Sequence, residues 1–235
     1  MSKLTLLEMT QSILNDMDSD SVNSIDDSEE SIQVALIVKT SYYKLMARQD
    51  WPFLRSLTTL TGLGDTANPT KMLIPETVSK LLWIRYDGER VTYMPPDQFK
   101  ELIDNREVQT GVIDANGYII NADPQYWTTY DDTYVVFDGY DSAAETTLQT
   151  ANTAVYCVVD PTWTHTDSFT PTMPAKMFPL LLAEAKSSCF LALKQQANAK
   201  EENYAKTTRS QMQKEAWRAD AGESTYNSNI NYGRK

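Results

Sequence analysis

Leu82-Trp-Ile-Arg-Tyr-Asp-Gly-Glu-Arg-Val-Thr-Tyr-Met94 alternates side-chain character on both sides of Asp87-Gly88, a dipeptide that supplies the two positive-φ residues of a tight hairpin turn. A two-residue loop pairs Ile84 with Val91 and Leu82 with Tyr93 on one face, and leaves Trp83, Arg85, Arg90 and Thr92 on the other. One face belongs to a core and the other is wet, so the middle of the chain is β structure. The same character extends outward from the hairpin. From Thr58, residues Gly62, Gly64, Asn68, Pro69 and Pro75 break helical periodicity while β-branched and aromatic residues become dense. Residues 133–137 and 154–159 read as further strands and Asn116-Gly117 as a hairpin turn. Pro95-Pro96-Asp97 opens a short helix over Phe99, Leu102 and Ile103.

Both flanks are helical. Leu4, Leu7, Leu14 and Met17 keep near-helical spacing until an Asp/Ser-rich stretch interrupts them. Asp27 with Glu30 resembles a capping box, and Ile32, Ala35, Leu36, Tyr43 and Ala47 continue one face to Asp50. At Trp51-Pro52 a short third helix over Phe53, Leu54 and Leu57 is expected. Beyond Pro174, Phe178, Leu182, Ala185, Cys189 and Ala192 alternate at spacings of four and three, a stripe that needs helical partners. The N-terminal helices are the ones on offer. The expected class is therefore α+β: a discontinuous helical bundle (residues 1–67 and 173–221), an inserted β-rich domain (68–172) and an extended C-terminal tail (222–235). That tail lacks a core-forming period and is expected to be disordered when free and to order on a partner.

Charge excludes several functions. Between Glu107 and Ala175 there is no Lys or Arg but ten Asp or Glu, so this segment has nothing with which to replace the counterions of a nucleic-acid backbone. Residues 1–175 hold 11 basic and 26 acidic groups, a net of −15, whereas residues 176–235 hold 10 and 6, a net of +4. An acidic body is set against a mildly basic C-terminal arm, and no specific nucleic-acid binding is expected. The longest apolar runs fall far short of the roughly 20 residues that span a bilayer. Met1-Ser-Lys-Leu-Thr-Leu-Leu-Glu8 has an acid in its apolar stretch and no small-residue cleavage site, so it does not read as a signal peptide; synthesis in a cytoplasm is expected. Cys157 and Cys189 have no CxxC spacing and read as buried thiols.

No enzyme signature emerges, and no cofactor or metal is called for. His165 is the only histidine and sits in a Pro/Thr-rich loop, where a solvated side chain is expected; a multi-histidine metal site is impossible. Asp114-Ala-Asn-Gly-Tyr-Ile119 mimics the middle of an EF-hand loop, but its first ligand position would be Val112. Asp131, Asp132, Asp138 and Asp141 could supply paired carboxylates; the reading preferred here is that they solvate strands and form an acidic channel or interface. The aromatic set Tyr118, Tyr126, Trp127, Tyr130, Tyr134, Phe137 and Tyr140 divides between strand core and a contact surface, with Tyr126, Trp127 and Tyr130 the candidates for a protein interface.

Several stretches together resemble the head-to-tail adaptor (connector) proteins of short-tailed bacteriophages. They are the opening Leu-Thr-Leu-Leu-Glu-Met9 with Ile13-Leu-Asn-Asp-Met-Asp-Ser-Asp20 and Val22-Asn-Ser-Ile-Asp-Asp27; Tyr42-Tyr43, Arg48 and Asp50-Trp-Pro52; and Tyr130-Asp-Asp-x-Tyr134-x-Val-Phe-Asp-x-Tyr-Asp141. Phe178-Pro-Leu-Leu-Leu-Ala-Glu-Ala-Lys186, Leu193-Lys-Gln195 and Asn231-Tyr-Gly-Arg234 complete the set. The resemblance implies a virion protein that forms a ring, usually a dodecamer. The ring docks below the portal protein, carries the tail nozzle, forms part of the genome ejection channel and can offer sites to tail fibres. It also implies a C-terminal arm that reaches the portal, here Met212, Trp217, Tyr226, Ile230, Tyr232 and Arg234 within residues 204–235. The alternative is a β-domain carbohydrate- or receptor-binding virion protein built on the same aromatics.

Overall fold

The computed structural model describes residues 3–143 and 146–227, with side chains along the last helix described as far as residue 217. The protein is a mixed α/β chain of two compact units: residues 1–54 with 161–235, and residues 55–160. These borders place the first strands and residues 161–172 on the other side of the expected ones at 67/68 and 172/173.

In the first unit, α1 (Leu6–Asp16) starts at Thr5, whose hydroxyl accepts from Glu8 N–H at 3.2 Å while the Glu8 carboxylate accepts from Thr5 N–H at 2.7 Å. The loop of residues 161–174 extends this cap. Leu6 and Leu7 donate to the Phe169 and Asp167 carbonyls, and the Asp167 carboxylate accepts from Ile25 N–H at 2.8 Å. Asp167, an acid of the lysine-free segment, thus serves the helices. Helix α2 (Glu29–Met46) begins one residue later than expected: Ser28 caps it in a reciprocal box with Ser31, and the Asp27 carboxylate instead accepts from Asn23 and Ser24 N–H. Its buried face is also rotated from the expected stripe. Val34, Ala35, Val38, Tyr42 and Leu45 are buried, whereas Leu36 is 49% exposed and Tyr43 lies outward. The anticipated third helix is a single 3₁₀ turn, Pro52–Leu54, after which the chain becomes a strand.

Helix α3 (Pro96–Asp104) belongs to the second unit; α4 (Phe178–Leu193) and α5 (Ala199–Asn227) complete the first. Helix α4 packs against α1, α2 and α5, and so buries residues around much of its circumference, including Phe178, Leu181, Ala185 and Cys189. Lys186–Asp16 (2.5 Å) and Arg209–Glu184 tie neighbouring helices. Burial pushes the Cys189 thiol up to about 12 and raises that of Cys157, whose Sγ lies 3.5 Å from the Ser56 carbonyl. A thiol reagent is therefore expected to label neither cysteine in the folded protein at neutral pH and both after denaturation; rapid native labelling would refute this. The sign for stability follows: the folded state holds the Cys189 proton more tightly than the unfolded one, so this contribution is intact below about pH 9 and is lost as pH rises toward about 12.

The second unit is built on a sheet of strands β1 (Arg55–Thr58), β2 (Thr61–Gly62), β3 (Lys71–Leu73), β4 (Val78–Tyr86), β5 (Glu89–Tyr93), β7 (Tyr126–Thr129), β8 (Tyr134–Phe137) and β10 (Thr153–Val159). Their order is β1-β10-β4-β5-β7-β8-β3-β2; β6 (Ile119–Ile120) and β9 (Gly139–Tyr140) pair separately. The β4–β5 hairpin has Ile84 opposite Val91 as anticipated, and Asp87 and Gly88 take φ values of 45° and 83°. The expected core pair Leu82–Tyr93 is corrected: β4 is bulged opposite Tyr156 and Cys157, so Leu81 instead packs on the core and Tyr93 stays 51% exposed. Strand β5 is joined through α3 to β7, its parallel neighbour. The pleat then sorts β8: Val135 and Phe137 enter a core with Leu60, Met72, Ile84, Tyr86, Val91 and Val155, while Val136 faces Phe99 and Ile103 of α3.

Candidate functional site

The four aspartates proposed as an acidic surface do not share one. Asp138, between β8 and β9, is fully buried, which corrects the expectation that it solvates a strand. Its Oδ1 accepts from Gln125 and Tyr126 N–H at 2.8 and 2.9 Å, and its Oδ2 accepts from Arg106 Nη2 at 2.7 Å. Arg106 follows α3, is itself only 15% exposed, and donates through Nη1 to the Gly117 and Asp138 carbonyls. The result is an internal clasp joining α3, the 114–117 turn, β7 and β8. Asp114 belongs to that turn, its carboxylate accepting from Asn116 and Tyr118 N–H at 2.9 Å, a role that leaves no EF-hand geometry. Asp141 is half-buried and accepts from Ala143 N–H. Asp131 and Asp132 alone are exposed together, on the β7–β8 turn. Asp131 Oδ1 fixes that turn by accepting from Thr133 and Tyr134 N–H, and Asp132 adopts φ 56°.

Tyr126, Trp127 and Tyr130 are likewise dispersed, because successive strand residues face opposite sides. Trp127 is buried in the sheet core, edge-on to Tyr93 with centroids 4.9 Å apart. Tyr126 packs toward Phe99 and Ile103, and Tyr130 is 59% exposed beside the Asp131-Asp132 turn. Tyr130 also borders a cleft of about 630 Å³ between α3, residues 67–71 and the 114–117 turn, with Lys71, Lys100 and Tyr118 on its walls. Burial, then the neighbouring Tyr130, raises the Tyr118 phenol. His165 stands 3.8 Å from the Asp26 carboxylate in the helical unit. Among the described residues no three His, Cys, Asp or Glu side chains are grouped as metal ligands.

One surface was only half visible in the sequence. The wet hairpin face of Trp83, Arg85 and Arg90 is extended by strands distant in sequence: Tyr156 of β10 pairs with Trp83, and Leu57 of β1 pairs with Tyr156. The Trp83 and Tyr156 rings stack at 5.4 Å, the Arg85 guanidinium lies 5.4 Å above the indole, and Leu57 is 63% exposed. Arg85 and Arg90 are direct cross-strand partners. The Trp83, Arg85, Arg90 alternation was one available signal and the strand character of residues 154–159 another; what the sequence lacked was any sign that the two strands lie side by side.

In the helical unit, Met212 of α5 lines an apolar groove with Trp51, Phe53 and Met177, and Trp217, further along the same helix, is 68% exposed. Helix α5 continues through Asn227, so residues 222–227 are helical where an extended tail was expected. Good helix formers in the preceding turns carry it across Gly222, at a cost of about 1 kcal/mol for that glycine. Tyr226 falls on this helix with its side chain outside the described residues, and Ile230, Tyr232 and Arg234 lie outside them altogether. Compared with known proteins, the sequence matches no family model and no curated relative.

Proposed function

We propose that this chain is a head-to-tail adaptor of a short-tailed bacteriophage, made in the host cytoplasm and built into the virion as a ring between portal and tail nozzle. In this reading residues 1–54 and 161–235 form a discontinuous helical bundle that carries the β-rich unit as an insertion, and α5 leads into the portal-binding arm. The observation that carries it is α5 itself. At roughly 1.5 Å per residue its 29 residues extend about 44 Å, and Tyr204 and Trp217 stand exposed along it, as anchors for another protein would. The absence of Lys and Arg from residues 107–175 supports the same reading, since that segment offers no cation to hold duplex DNA in a conduit. The resemblance along the chain supplies the identity of the partners.

The test is assembly. Mixed with portal rings, the protein is expected to add as a closed ring, usually of twelve copies, by native mass measurement. A variant truncated after residue 211, with Trp217→Ala as a milder companion, is expected to lose attachment. A portal-free preparation that is a tight dimer and ignores portal rings overturns the reading. The alternative, a carbohydrate- or receptor-binding virion protein, is favoured by one observation, the tyrosine-walled cleft beside α3. Saccharide binding weakened by Tyr130→Ala would select it.

A further inference from the structure

We infer that the Leu57–Tyr156–Trp83–Arg85–Arg90 face is a docking surface for a second copy of this chain, and that it receives that copy's Tyr130-Asp131-Asp132 turn. The inference rests on the ring reading and specifies its contact.

The face asks for an anion and a ring. Two arginines directly opposite on neighbouring strands repel one another, an arrangement that is unfavourable on an isolated sheet. Among the described residues neither is ion-paired. Beside them lie a stacked Trp–Tyr pair and an exposed leucine, and Trp, Tyr and Arg are the residues on which protein contacts concentrate their energy. An acidic partner segment carrying an aromatic side chain would relieve the repulsion and cover the apolar row together.

The chain carries such a segment. Within the ten-acid stretch, the β7–β8 turn presents two adjacent exposed carboxylates next to a Tyr130 that is 59% exposed. The turn is already fixed by the hydrogen bonds that Asp131 Oδ1 accepts from Thr133 and Tyr134 N–H, so little ordering remains to be done on binding. Among the described residues, Asp131 Oδ2 and the Asp132 carboxylate accept no hydrogen bond that would compete with the two guanidinium groups. Face and turn sit on different parts of the sheet, the first on β1, β10, β4 and β5, the second between β7 and β8. Contact between them is heterologous: a pair of copies keeps one free face and one free turn for the next copies, and such contacts close into a ring when the rotation between neighbours closes. Single-stranded nucleic acid also stacks on Arg–aromatic surfaces, but a net charge of −11 opposes it.

The experiment uses the full chain on portal rings and, separately, at high concentration in sedimentation. Arg85→Glu/Arg90→Glu alters the face. Asp131→Asn/Asp132→Lys alters the turn and retains the Oδ1 acceptor that holds it. All four positions are exposed, so the arginine variant is expected to melt like the parent, whereas the turn variant, with lysine at the φ 56° position of Asp132, is expected to melt a few degrees lower; melting curves of both serve as the folding control. Each variant alone is expected to self-associate about tenfold more weakly or worse, and an equimolar mixture of the two is expected to recover association, since every face then meets a turn of opposite charge. If both variants assemble like the unaltered protein, this docking contact is wrong while the ring reading stands. If the unaltered protein itself forms no ring on portals, the ring reading fails and takes the contact with it. Retention of an oligothymidylate by the unaltered protein, lost in Arg85→Glu/Arg90→Glu, would assign the face to nucleic acid and overturn the inference.

Discussion

Asp138→Ala is expected to destabilise the β unit by about 4 kcal/mol, because removing one member of a buried ion pair leaves the other uncompensated. Three donors lose their acceptor at once: the Gln125 and Tyr126 N–H groups and Arg106 Nη2, of a side chain only 15% exposed that also loses its counter-charge. For a unit of this size, a loss of that magnitude lowers the melting temperature by roughly 15 °C or more. Asp138→Asn should fall between, since an amide oxygen can still accept from the two backbone groups but carries no charge for Arg106. Arg106→Met should cost less than Asp138→Ala, and the double variant should cost less than the sum, because both act on one clasp. Thermal melts of the four proteins decide the matter. An Asp138→Ala protein that melts within a few degrees of the parent would show the clasp to be incidental.

Gly117→Ala strikes the same clasp from its other end and is expected to cost about 3 kcal/mol. Gly117 has φ +85°, and a methyl group there would lie 2.3 Å from the Ile103 carbonyl oxygen and 2.9 Å from Ile103 Cγ2. The oxygen is backbone at the last turn of α3 and cannot rotate away, so the turn itself must shift. That shift moves the Gly117 carbonyl, to which Arg106 Nη1 donates at 3.3 Å. Gly88→Ala provides the contrast. Its φ of +83° carries the conformational penalty, but the added methyl meets nothing within 4 Å, so a smaller loss of about 1 kcal/mol is expected. Equal losses at the two glycines would rule out the steric account.

What the sequence made legible, it made legible locally. The β4–β5 hairpin was readable because turn chemistry and alternation both reside within a dozen residues. Helix α2 was found, but its phase was misread. Packing on both α1 and α4 widens its buried stripe, and the exposed Leu36 and Tyr43 lie close enough to that stripe to pass for part of it. Strand β1 was missed because Arg55-Ser-Leu-Thr58 at a sheet edge carries no alternating apolar pattern. For the candidate sites the obstacle was distance along the chain. Nothing near Asp138 announces that Arg106, 32 residues earlier, will bury it, and nothing near Trp83 announces Tyr156. Acids that look alike in sequence thus divide into an internal clasp, turn anchors and one exposed pair.

The pairing of β1 with β10 matters beyond the sheet. Arg55 and Val158 are cross-strand partners, so the first and last strands of the β unit run side by side. To the helices on either side, about a hundred residues of intervening chain then behave as a connection only a few ångströms long. Joining the ends of so long a flexible loop would otherwise cost on the order of 4 kcal/mol in chain entropy. Once the β unit has folded, that entropy has already been spent within its own sheet. Helix α4, which emerges from the ribosome long after α1 and α2, meets them as a near neighbour in the chain rather than as a distant one. The β unit thereby acts, for the two stretches of chain that flank it, as a folded cross-link.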